Sequence, residues 1–259
     1  MESALLLSLI AVLMFAGMLA CSELGRRFGI ARRQSDPDGA DKGIGAASGA
    51  VYGLLGLLIA FSFSGAASRF EDRRHLVTSE ANAIGTAWLR LDLLPQDARP
   101  DLKEKFRKYV DLRLASYRDM YDQVATQAKL DQSAALQGEI WSQSLAAARR
   151  PEASPQANQL LVPALNEMFD ITTTRLMATR NHPPLIIFLL LGGLGLAGAM
   201  LVGYDTSASR ARQWLHTIAF AGVTAFAVNV ILELEFPRLG LIRVDAADQV
   251  LVELRAGMR

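Results

Sequence analysis

Apolar residues in this chain fall in four blocks separated by charged segments. The blocks cover residues 4–21, 44–67, 185–203 and 214–234. Each has about the length a helix needs to cross ~30 Å of hydrocarbon at ~1.5 Å per residue. A lone span in lipid must satisfy its own backbone donors and acceptors, and a barrel would show shorter alternating segments, so the blocks predict transmembrane α-helices. The predicted architecture is an all-α membrane protein in which four transmembrane helices (2+2) flank a soluble helical-bundle domain. Its segments are a hairpin over 1–67, the bundle over 68–181, a second hairpin over 182–236 and a C-terminal tail over 237–259.

Between the first two blocks, Asp36-Pro37-Asp38-Gly39 reads as a turn in a solvated loop. Beyond Ser68, apolar positions recur at three and four among charges. Leu76, Ala83, Ala87 and Leu91 predict a helix that continues from the second span with no breaker before Pro95, tying that span mechanically to the bundle. Pro100 suits a first helical turn, and Leu102, Phe106, Tyr109, Val110, Arg113 and Leu114 follow at helical spacing. Further helices are predicted over about 131–149 and 156–179. Asn181-His182-Pro183-Pro184 interrupts the helix before the third span, and Pro237 with Gly240 does the same after the fourth, leaving a tail with an extended piece at 241–244.

Composition changes the picture only by exclusion. A net charge of +1 provides no field for a polyanion, so nucleic acid is not an expected partner. The single cysteine, Cys21, excludes an intrachain disulfide and a cysteine-based metal cluster. Met18-Leu19-Ala20-Cys21 loosely resembles a lipoprotein cleavage site, but no Lys or Arg precedes the apolar run, which favours a retained span. Basic residues near the spans divide evenly between the two faces, so the side of the bundle stays open. His75, His182 and His216 lack helical ligand partners, and no phosphate-cradling loop is present. No catalytic residue, metal site or cofactor is expected, and the chain is read as a non-enzyme.

The second span carries the most information. Gly45, Gly49, Gly53 and Gly56, continued by Ala60 and Ser64, form a small-residue stripe that admits close helix packing. Ser48, Tyr52, Leu55, Ile59, Ser62 and Phe63 lie on other faces. Repeated around a symmetry axis, Ile59 and Phe63 would form apolar rings of the kind that gate ions by dewetting. Lipid or a neighbouring helix is the plainer partner for both. Arg69, Glu71 and Arg73 follow at the membrane surface as a charged vestibule or as a solvated helix face laced with ion pairs. Asn229 and Glu233 place polar groups in or near hydrocarbon, where they face an interior or reach the boundary. Glu80, Arg90 and Asp92, with Asn166, Asp170 and Arg175, are candidates for a buried polar network between antiparallel helices.

Several stretches also share a family pattern: residues 79–95 (SEANAIGTAWLRLDLLP), Ala164 to Asp170 with Arg175, His182-Pro183-Pro184, and residues 233–245 (ELEFPRLGLIRVD), which bring Glu235 and Arg238 into the same motif set. Together they resemble the bacterial bestrophin-like family over most of the chain. That resemblance implies a pentameric anion channel of four-helix subunits whose second transmembrane helix lines the pore, with Ile59 and Phe63 as neck residues. Two departures stand out: the second span has no proline-rich neck motif, and no acidic cluster resembles the calcium clasp of animal bestrophins. The expected partners are membrane lipid, further copies of the chain in a homopentamer, and inorganic ions, with anions favoured. The expected location is a bacterial inner membrane, as a multi-pass protein. A membrane-anchored sensor or scaffold that signals through its helical domain without conducting ions is the alternative.

Overall fold

The computed structural model describes the whole chain apart from residues 1, 38, 41–43, 119–122, 210, 212, 238, 240, 241, 243 and 244. Among the described residues it contains helices and turns and no strand. The helices, in order, are α1 (Glu2–Ser35), α2 (Ile44–Arg90), a 3₁₀ turn (Leu91–Leu93), α3 (Arg99–Arg118), α4 (Gln123–Ala148), α5 (Ala157–Arg180), α6 (Leu185–Thr206), α7 (Trp214–Glu235) and α8 (Asp245–Gly257). Four helical stretches are long and apolar enough to cross a membrane.

The helix boundaries follow from local chemistry. No proline interrupts α2, which tightens into the 3₁₀ turn only as Pro95 approaches. Pro184 holds an extended backbone before α6, whose first turn is closed by Ile187 N–H donating to the Pro184 carbonyl at 3.0 Å. The chain divides into two compact units. The first comprises Met1–Phe70 with His182–Arg243, and the second Glu71–Asn181 with Val244–Arg259.

In the first unit α1 and α6 run backbone against backbone. A Cβ on Gly25 would collide with the Met200 carbonyl, and one on Gly203 with the Ser22 carbonyl. Such an approach is open only to glycine, and it supplies the van der Waals contact that joins helices in lipid. Beyond this seam Arg33 Nη1 donates to Tyr204 O at 3.2 Å and to the Ser207 hydroxyl, while Tyr204 Oη donates to Ala40 O at 2.8 Å. Leu7, Leu55, Ala66, Leu191, Val228, Ile231 and Leu232 form the apolar interior. Gly203→Leu is expected to destabilise the protein in detergent by about 1–3 kcal/mol through overpacking against a rigid backbone. Gly192→Leu, where a Cβ meets no atom within 4 Å, serves as the neutral control in a thermal melt.

The second unit is a helical bundle with an aromatic and aliphatic interior. Phe106, Tyr109, Ile140, Leu161, Leu165 and Met168 are fully buried, and Trp88 meets Phe106 edge to face with ring centroids 6.2 Å apart. Residues 237–259, read from the sequence as a C-terminal tail, include a helix that belongs to this unit. Residues 245–257 form α8, whose Leu251 is buried and whose Arg255 pairs with Asp111 on α3 at 2.8 and 3.0 Å. Arg107 Nε caps this end by donating to Met258 O at 2.9 Å. The extended piece expected at 241–244 lies outside the described residues except for Ile242.

Candidate functional site

The membrane-spanning part of α2 has one packed face and one open face. Ser48, Tyr52, Leu55, Ile59, Ser62 and Ala66 recur at intervals of four and three, and this is the side turned into the chain. Ser48 and Leu55 are each 3% exposed, and Leu55 and Ile59 belong to the same apolar interior as Leu191, Val228 and Ile231. Tyr52 lies edge-on to Phe220 of α7, centroids 5.7 Å apart.

Half a helical turn away the helix is bare. Leu54, Leu57 and Phe61 are 50%, 52% and 68% exposed, spaced at three and four; Phe63, also exposed, lies on the other side of the helix, one turn beyond Ile59. Gly45, Gly49, Gly53 and Gly56 also belong to the open side, since among the described residues nothing lies within 4 Å of a Cβ built on any of them. The stripe therefore makes no packing seam with the described residues. Of the pore candidates, Ser48 and Leu55 are buried within the chain, Tyr52, Ile59 and Ser62 are half-buried, and Phe63 is exposed.

The expected vestibule charges are also mostly committed inside the chain. Arg69 Nε and Nη2 grip the fully buried Glu235 carboxylate at 2.7–3.1 Å, and His182 Nδ1 lies 2.9 Å from the same group, its ring stacked on Phe236. One carboxylate thus gathers α2, the segment before α6 and the end of α7. Arg73 is buried and caps α5 by donating to Ala178 O and Asn181 O, both at 3.1 Å. Glu71 is the exposed member, pairing along its own helix with Arg74 at 2.9 Å and His75 at 3.3 Å. On α7 the buried Glu233 accepts from Ile242 N–H at 3.0 Å, past the Pro237 break, and so fixes the chain where it leaves the span.

The polar network expected in the bundle forms with a different membership. Glu80 on α2 is fully buried and accepts from Arg113 Nε on α3 at 2.6 Å and from Arg175 Nη1 on α5. Arg175 also lies 3.6 Å from Asp248 of α8. Tyr109 is adjacent, its hydroxyl accepting from Gln137 at 3.2 Å. Arg90 instead donates to the Leu160 carbonyl at 2.6 Å, Asp92 pairs with Lys103 at the surface, and Asn166 and Asp170 are exposed. Glu235 belongs to the separate Arg69 and His182 cluster, and Arg238 lies outside the described residues. Arg113 is the member that motif reading overlooked. Its signal was present, because an arginine at an apolar helical position beside Tyr109 and Val110 needs a buried carboxylate.

Burial pushes the Glu80 carboxyl upward, but the Arg113 and Arg175 guanidiniums outweigh it and hold it below the usual carboxylate range. Burial holds the Tyr109 phenol up at about 12. A lowered carboxylate contributes stability that is complete above its ordinary value near 4.5 and is lost as pH falls through the folded value below that. A raised phenol contributes stability that is complete below 10.0 and is lost as pH rises towards about 12. Thermal melts are therefore expected to show a plateau for this pair that falls away on the acid side below about pH 4.5 and on the alkaline side above about pH 10. Substituting Glu80 removes the acid arm and Tyr109→Phe the alkaline one; arms that persist in those variants would contradict the assignment.

Comparison with known proteins places this geometry in a family. The model of the bestrophin-like domain matches residues 6–248. Among solved structures, the crystal structure of a variant of a bacterial bestrophin homologue from Klebsiella pneumoniae superposes with a TM-score of 0.69 at 14% identity, covering 93% of this chain and 99% of that one. A second variant of that homologue gives 0.64 at 16% identity, covering 93% and 97%. A crystal structure described as a membrane protein gives 0.65 at 14%, covering 94% and 98%. At these identities the likeness establishes a shared fold. No curated protein matches the chain. With the family model spanning nearly its whole length and the same helical fold in the homologue, this multi-pass membrane protein belongs to the bestrophin-like family.

Proposed function

We propose that the chain assembles as a homopentameric anion channel, with the open face of α2 lining the axis. The observation that carries this reading is the bare stripe of Leu54, Leu57 and Phe61 flanked by glycines, an apolar helix face that the described residues leave uncovered. Family membership supports a channel, since bestrophins conduct ions. In this arrangement the glycines let α2 helices of neighbouring subunits approach closely, and Leu57 and Phe61, one turn apart, form the neck. A ring of phenyl side chains suits an anion better than a cation, because the ring edge carries partial positive charge while cations prefer the face. Residues 1–67 and 182–236 then serve as the two membrane hairpins of each subunit and 68–181 as its water-facing domain, in a bacterial inner membrane.

The test is subunit mass by native mass spectrometry together with halide flux from liposomes. Five subunits and flux well above empty liposomes are expected. A dimer with flux at the empty-liposome level would overturn the channel and favour a scaffold.

A further inference from the structure

Past the midpoint of α1, a polar crevice opens between α1, the end of α6 and the start of α7, with a volume of about 150 Å³. Its walls carry Arg26, Ser22, Thr206, Gln213, Thr217 and the Trp214 indole. The crevice sits where the apolar run of α1 gives way to charge, five residues past Cys21, and Trp214 opens the fourth span. Tryptophan at that depth marks the headgroup level of a bilayer. The Thr206 hydroxyl donates back to its own helix, to the Val202 and Gly203 carbonyls, which leaves Gln213 and Thr217 as the polar groups beside the arginine on this wall.

The state of Arg26 points to what the crevice takes. Its Nε is shielded from solvent and, among the described residues, has no hydrogen-bond partner. The neighbouring arginine differs: Arg27 is 74% exposed and donates its Nε to Glu23 at 3.1 Å. Glu23 also borders the crevice, and its carboxylate accepts from Arg27. A guanidinium with a shielded, unmade N–H suits an oxyanion with several acceptor oxygens, which it binds through its planar fork.

We propose that this crevice binds the phosphodiester of a membrane glycerophospholipid, with Arg26 as the principal contact and the lipid chains lying along the apolar flank towards Leu19. The site depends on the α1–α6 seam and not on conduction, so it stands or falls separately from the channel.

The experiment is native mass spectrometry of the delipidated full chain titrated with phosphatidylglycerol, with diacylglycerol of the same chains, and with phosphatidylglycerol plus millimolar inorganic phosphate. Wild type and Arg27→Gln are expected to retain phosphatidylglycerol comparably, and Arg26→Gln to bind it about tenfold more weakly through loss of a charge-assisted pair. Diacylglycerol is expected to bind at least tenfold more weakly than phosphatidylglycerol to wild type, an arm that needs no variant to fold. Equal binding of the two lipids to wild type would overturn the proposal, as would an equal loss in Arg26→Gln and Arg27→Gln. Displacement by inorganic phosphate would make a free anion the ligand and would likewise overturn it.

Discussion

Glu80→Gln is expected to cost about 3–5 kcal/mol of stability, because it leaves two buried guanidiniums without their shared carboxylate. Glu80 is fully buried, Arg113 is 3% exposed and Arg175 is 6% exposed, so water cannot take over the lost charge. Asp248, at 3.6 Å from Arg175, is too far to replace the direct bonds that Glu80 makes. The three residues come from α2, α3 and α5, so the loss loosens three helices of the bundle together. Glu71→Gln provides the contrast, since its pairs with Arg74 and His75 are exposed and such pairs are worth about 0–1 kcal/mol. Arg113→Gln added to Glu80→Gln should cost less than the sum of the two changes, because the second removes one of the charges that Glu80 had neutralised. Thermal or chemical denaturation of the full-length protein in detergent measures all of these. Similar losses for Glu80→Gln and Glu71→Gln would show that the buried carboxylate does not organise the bundle.

The second large effect concerns conduction. Phe61→Ala, alone or with Leu57→Ala, is expected to raise halide flux by about tenfold, equivalent to ~1.4 kcal/mol removed from the barrier at a dewetting neck. Ile59→Ala should behave oppositely. Ile59 packs against the interior formed with Leu55, Leu191 and Ile231, so truncation is expected to cost about 2–5 kcal/mol of stability and leave flux per folded channel unchanged. The two residues are two positions apart on one helix, and only the face they occupy separates the expectations.

That face is also where sequence reading reached its limit. The four spans were legible because a run of apolar residues of membrane length has few alternatives. Which side of α2 turns inward was not, because lipid is as apolar as a leucine core and the hydrophobic contrast that marks a buried face in water vanishes. Leu55 and Leu54 look alike in the sequence, yet one is 3% exposed and the other 50%. Glycine spacing was similarly silent about partners. Among the described residues, a Cβ on Gly45, Gly49, Gly53 or Gly56 would meet nothing within 4 Å, while a close backbone approach is made at Gly25 and Gly203, which stand far apart in sequence.

In the water-facing bundle the reading fared better, because there periodicity does report burial. Leu102, Phe106, Tyr109 and Val110 were placed on one helical stripe and are all buried. Charged residues grouped by motif were less reliable guides to contact. Asn166 and Asp170 share a helix with Arg175 but point to solvent, whereas Arg113, from a different helix, completes the Glu80 cluster. A buried charge is identified by the partner it requires, and that partner is a matter of three-dimensional packing.

The central claim, that the open face of α2 lines an ion-conducting axis, is tested most directly by thiol accessibility in a Cys21→Ser background. Phe61→Cys and Ile59→Cys channels would be reconstituted and halide flux measured before and after a bulky charged thiol reagent is added. The account predicts flux that is rapidly altered by the reagent in Phe61→Cys and untouched in Ile59→Cys. Flux altered at Ile59→Cys with Phe61→Cys insensitive, or flux that never exceeds empty liposomes, would contradict it.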